Sequence, residues 1–128
     1  MAVSQDVDVI SVPAAYSLAS YQFHAVLSDA AGNACIQTNI APTIGTAPVI
    51  GILQNKPAAA GRAARIAIGG VSKMVAGEAI TAGEVVYPTT GGLALGSAYG
   101  ACGTSAIGVA LSAASGSLSV FQVLIRWT

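Results

Sequence analysis

Apolar and polar positions alternate in short stretches along this chain, and glycine, proline and asparagine break the alternation every few residues. Residues 7–12 read VDVISV, the period of an extended strand, and Pro13 ends that strand or holds it at a sheet edge. Residues 22–28 and 34–38 flank Asp29-Ala30-Ala31-Gly32-Asn33, a hairpin pattern whose loop offers Gly32 and Asn33 for positive φ. Pro42, Gly45 and Pro48 mark residues 39–48 as a loop. Residues 49–54 are apolar on both faces and predict a buried strand. Residues 55–61 predict a turn, with room for one helical turn over 58–60 before Gly61. Residues 62–69 alternate again, with Ala64, Ile66 and Ile68 on one side and Arg65 on the other.

Gly69-Gly70 separates that strand from a further short one at residues 71–75. Residues 77–84 form a connection between glycines, residues 85–87 a strand, and residues 89–92 a turn. Residues 93–103 are rich in Gly and Ala and carry at most one weak strand. The last two strands are expected at residues 107–111 and 118–127. In the final one Phe121, Val123, Ile125 and Trp127 share a face, and Leu118, Val120, Gln122, Leu124 and Arg126 share the other. That second face is too apolar for water and is expected to meet another sheet or subunit. No segment carries a helical period of normal length. The fold class is therefore all-β, a small barrel or sandwich of short strands and Gly-rich turns.

Part of the chain returns. Ile50-Gly51-Ile52 is echoed by Ile107-Gly108-Val109, and Ile66-Ala67-Ile68 by Val123-Leu124-Ile125, both 57 positions on. An equal offset in two blocks points to one supersecondary unit used twice. The 57-residue offset puts Ala113, Ser119 and Gln122 where the first copy has Lys56, Arg62 and Arg65. The basic cluster is thus not required by the repeat. It either meets an acidic surface or is a solvated edge.

Composition sharpens this. Charged residues are 8% of 128 and apolar residues 54%, with 5% aromatic, so the apolar content is mostly small and aliphatic. One domain of this length buries a modest core. A surface this poor in charge is expected to be partly hidden in an assembly. Net charge is zero, which gives no electrostatic footprint for nucleic acid. No Asp, Glu, Lys or Arg falls between Val85 and Ile125, yet Gly, Ser, Thr and Pro88 break that run too often for a membrane span. Asp6 and Asp8 stand where a signal peptide would be apolar. Cys35 and Cys102 lie in no metal or redox spacing and are expected reduced and partly buried.

Catalytic constellations are weak. The one histidine, His24, sits between Phe23 and Ala25 on an expected strand and reads as structural. Residues 103–108, GTSAIG, miss the spacing of a nucleophile elbow. Glu78 and Glu84 flank a turn and read as loop carboxylates rather than an acid–base pair. Neither a phosphate-binding GxxxxGK[ST] loop nor a metal-ligand set is present, so no cofactor, metal or enzymatic activity is expected.

The stretch from Ala47 to Gly61, APVIGILQNKPAAAG, and the following GGVSKMVAGEAITAGEVV resemble the capsid decoration (cement) proteins of tailed bacteriophages, small phage proteins often mislabelled as recombinases. The likeness covers residues 46–86 well and 106–125 more loosely. It implies a small barrel-like β fold and a structural virion protein on the outer surface of an assembled capsid. Such a protein, made in the cytoplasm of the host bacterium, would bridge major capsid protein subunits and stabilise the shell. It also implies a homotrimer on the capsid, with no nucleic-acid or membrane partner. A small-ligand or carbohydrate-binding β module is the alternative, for which Trp127, Tyr16, Tyr21, Tyr87 and Tyr99 are a thin supply of stacking aromatics.

Two groups of contact residues follow. Residues 1–15 are expected as an extended arm on a single β domain of residues 16–128, adding a strand to a coat-protein edge through Val7, Val9, Ile10 and Val12. An ordinary first strand of the barrel is the other reading of that stretch. Lys56, Arg62 and Arg65 are the expected basic capsid contacts, and Val120 and Leu124 the expected self-association residues.

Overall fold

In the computed structural model, which describes residues 7–29, 31–36, 49–88, 92–96 and 106–126, the apolar runs form nine strands. They are β1 (Val7–Pro13), β2 (Ala25–Ser28), β3 (Ala34–Cys35), β4 (Val49–Leu53) and β5 (Ala63–Val75), followed by β6 (Val85–Pro88), β7 (Ala94–Leu95), β8 (Gly108–Ala110) and β9 (Val120–Ile125). They lie in the order β3-β2-β4-β5-β9-β8-β6-β7, with β1 on β5 beside this path. All strand pairs are antiparallel. The sheet is strongly curled into a half-barrel, and the chain is essentially all-β, as its pattern predicts.

One boundary needs correction. The two strands expected on either side of Gly69-Gly70 are a single strand, β5. Gly70 takes a φ of 84°, and the register slips opposite it between Asp8 and Val9. This is a bulge, which bends a strand without ending it. Ile66 and Ala67 pair with β4 and also with Ile10 and Val9 of β1, so β4 and β1 take opposite edges of β5. Its second half, Gly70 to Val75, pairs with β9. In the free chain residues 7–13 are thus a strand within the sheet, paired from Val7 opposite Gly70 to Pro13 opposite Ala63. Residues 1–6 lie outside the described residues.

The repeat runs through the whole fold. Ile52 opposite Ala67 and Leu53 opposite Ile66 recur 57 residues later as Val109 opposite Leu124 and Ala110 opposite Val123. Leu27 opposite Cys35 and Ser28 opposite Ala34 recur 60 residues later as Tyr87 opposite Leu95 and Pro88 opposite Ala94. Val12 opposite Ala64 recurs as Met74 opposite Phe121, so β1 does for the first unit what the second half of β5 does for the second. The loops agree too. Leu18 N donates to Pro57 O as Ile80 N donates to Ala114 O, and Gly61 N donates to Ala14 O as Leu118 N donates to Ala76 O. A bridge from Ala14 to Ala34 draws the first unit's strands back on themselves, and one from Ala76 to Ala94 does the same in the second.

Each unit has its own apolar cluster. The first gathers Leu18, Val26, Leu53, Ala64 and Ile66, and the second gathers Ile80, Val86, Ala110, Phe121 and Val123 at the matching positions. Size is exchanged within one pair: large Leu53 with small Ala64 becomes small Ala110 with large Phe121. Such exchanges keep core volume, which tight interiors require. Each fully buried Leu, Ile or Val contributes about 1.5–3 kcal/mol of apolar burial.

Gly51 and Gly108 are equivalent and equally constrained. A Cβ on Gly51 would collide with the carbonyl of Ala67, and one on Gly108 with the carbonyl of Leu124. We expect Gly51→Ala and Gly108→Ala each to cost about 1–3 kcal/mol through overpacking. Gly116→Ala, where nothing lies within 4 Å of the new carbon, should stay within about 0.5 kcal/mol of the parent. Urea unfolding of the three variants checks this.

Candidate functional site

The basic residues are carried by the hairpin loop between β4 and β5 (residues 54–62) and the first residues of β5. Asn55 fastens this loop: its side-chain oxygen accepts from Arg65 N at 3.0 Å, and its Nδ2 donates to Ala63 O at 3.0 Å. Gln54 N donates to Arg65 O at 2.7 Å, and the Gln54 side chain reaches Ser72 Oγ at 2.8 Å, satisfying the buried Ser72. Pro57 is buried, while Lys56, Arg62 and Arg65 are all exposed. A rigid loop thus presents three cations at low ordering cost.

The same loop in the second unit is built alike and finished differently. Ser112 Oγ accepts from Gln122 N at 2.9 Å, as Asn55 accepts from Arg65 N. The residues displayed are Leu111, 47% exposed, Leu118, 69%, and Val120, 52%. Leu118 holds a φ of 68° where the first unit has Gly61 at 82°. That conformation costs a non-glycine residue about 1–2 kcal/mol, and Leu118 recovers none of it by burial. The two loops therefore share a backbone and differ in surface chemistry, one basic and one apolar.

The expected contact residues are distributed as follows. In β1, Val7 and Val12 pack partly against the two clusters, Val9 is half-buried and Ile10 is exposed. In β9, Val120 and Leu124 lie on the outward face with Gln122 and Arg126, Leu124 being half-buried. Trp127 lies outside the described residues, as do Tyr99 and Cys102. Leu111, Leu118 and Arg126 were not among the expected site residues. Their signal is the comparison of the two units position by position, which needs offsets the two sequence blocks alone do not supply.

The remaining chemistry-bearing residues have structural places. His24 lies in a bend before β2 rather than on a strand, edge-on to Tyr21 with ring centroids 5.4 Å apart. Glu78 Oε2 accepts from Gly96 N at 2.8 Å, the place Tyr16 OH takes for Ile36 N in the first unit. Glu84 accepts from Thr81 N at 3.3 Å. Both carboxylates cap backbone amides. Tyr16 and Tyr21 are likewise engaged within the fold. Among the described residues no group of His, Cys, Asp and Glu is arranged to hold a metal ion.

Cys35 is a half-buried thiol. Burial, and then the neighbouring charge of Asp29, push its pKa above the ordinary value. Because the thiolate is the reactive form, Cys35 should react slowly with a thiol reagent at neutral pH. Asp29→Asn removes the second cause and should speed the reaction; an unchanged rate would contradict the charge effect.

The chain can now be set beside known proteins. No curated protein matches it. The family model described as phage cement protein matches residues 4–126, which takes in both units and the β5 strand that they share. On that coverage, the chain belongs to the phage cement protein family.

Proposed function

We propose that this protein binds the outer surface of an assembled phage capsid and stabilises it by bridging major capsid protein subunits. The observation that carries this reading is the family match over nearly the whole chain. Capsid shells are held by many weak interfaces between coat subunits. A protein that binds only the assembled shell stabilises it by mass action, with no chemistry or cofactor. The protein acts on the virion after synthesis in the host cytoplasm, and it associates with itself there as a homotrimer, using the β9 face that carries Val120 and Leu124.

The first-unit loop is the part we assign to the coat protein. Lys56, Arg62 and Arg65 are exposed on a fastened loop, and the equivalent positions in the second unit are Ala113, Ser119 and Gln122. The fold thus stands without the cluster in one of its two copies, which favours a partner over a structural need. An acidic coat surface is the complementary chemistry. The N-terminal residues join this contact. β1 pairs with β5 by one edge and, among the described residues, pairs with no other strand. Its other edge, with Val9 and Ile10 beside it, offers a ladder to an extended coat-protein segment.

Co-sedimentation with assembled capsids tests the reading. The parent protein should pellet with capsids and not with unassembled coat protein. Replacing Lys56, Arg62 and Arg65 together by Ala should weaken capsid binding at least about tenfold and reduce its salt dependence. Ser119→Ala in the second loop should leave it unchanged. Capsid binding that ignores the triple replacement would remove the basic loop from the interface, and no pelleting at all would overturn the function.

A further inference from the structure

The two units do not cover each other equally. In the first unit Ala25, Ile52 and Ala67 belong not to that unit's cluster but to the second unit's, and all three are buried. Beside them Gly92, in the β6–β7 turn, lies directly on the backbone of His24 and Ala25. A Cβ there would stand 2.9 Å from Ala25 N and from His24 Cβ. A turn of the second unit is thus seated against a face of the first.

The counterpart contact is not made within the chain. Ala25, Ile52 and Ala67 correspond to Val85, Val109 and Leu124, which belong to neither cluster and are only half-buried. A groove of ≈ 200 Å³ opens there, lined by Val85, Ala106, Gly108, Val109 and Arg126. Gly92 corresponds to Gly32 in the β2–β3 turn. Gly32 has the same left-handed backbone, with φ 85°, but it is exposed and nothing lies within 4 Å of its Cβ position. The chain therefore carries one occupied turn-and-face pair and one unoccupied pair of the same design. The unoccupied pair has complementary charge. Asp29 stands in the turn, its Oδ1 accepting from Ala31 N at 2.9 Å and Asn33 N at 2.8 Å, and Arg126 is exposed at the groove.

We propose that the β2–β3 turn of one copy of this chain docks on the Val109–Leu124 face of a second copy. The contact repeats between molecules the one that each molecule makes within itself. Its two halves are different surfaces, so every copy offers one turn and one face, and the contact closes into a ring. This deepens the self-association reading given above by naming both surfaces. The test uses pure protein without capsids, so its failure leaves the capsid reading standing.

Ala31→Lys at the turn tip adds bulk and a charge that repels Arg126, while Asp29 keeps its hydrogen bonds. Leu124→Asp spoils the face. By sedimentation velocity the parent should self-associate, and each variant should do so at least roughly tenfold more weakly. Mixing the two should restore one good contact and give a heterodimer, because the intact turn of one meets the intact face of the other. Thermal melts establish that both variants are folded. If Leu124→Asp does not fold, Ala31→Cys mixed with Leu124→Cys replaces it and should give an inter-chain disulfide under mild oxidation. A parent that stays monomeric, variants that associate like the parent, a folded mixture without heterodimer, or no cross-link would each overturn the proposal.

Discussion

Everything in this fold depends on β5 serving two barrels with one strand. Its first half must hold β4 on one edge and β1 on the other, and its second half must hold β9. A strand presents only two edges, so the exchange of partners has to happen along its length. It happens at Gly69-Gly70, where a left-handed residue and a bulge bend the strand between the two units. The bend lets one run of thirteen residues close two curled halves, each around its own cluster. Neither unit of some sixty residues would bury much surface alone, and the shared strand makes them one body.

Duplication of this kind separates what the fold needs from what a surface has been given. Where both units agree, as at Gly51 and Gly108 or Ala14 and Ala76, a packing constraint accounts for the residue. Where they disagree on an exposed loop of common backbone, packing does not decide. The basic loop of the first unit and the apolar loop of the second are the main case. Leu118 adds to it, since an exposed leucine held at positive φ where glycine serves in the other unit costs stability. The differences between the copies therefore mark the places where binding has shaped the chain.

Much of this was legible in the sequence. The alternation in residues 62–68 and 121–125 placed the buried faces correctly, and the equal spacing of two blocks revealed the repeat. Its extent was not legible, because the spacing between equivalent residues shifts along the chain. It is 62 residues at Val12 and Met74, 60 at Leu27 and Tyr87, and 57 at Ile52 and Val109, as the connections of the second unit are shorter. Gly69-Gly70 read as a break because glycine pairs usually punctuate strands, whereas pairing on both sides carries β5 through. Residues 7–13 admitted two readings, since alternation alone does not say which partner a strand will take. The contact residues of the second unit were hidden for a different reason: exposed Leu and Val look ordinary until their counterparts are Gln54, Gly61 and Ala63.

Hydrogen exchange on the protein bound to assembled capsids, compared with the protein alone, tests most directly whether equivalent surfaces have separate tasks. The account predicts new protection of the amides in the first-unit loop, residues 54–65, when capsids are added. The equivalent amides at 111–122 should show no comparable change on capsid addition. Equal added protection of both loops, or protection of the second alone, would contradict it.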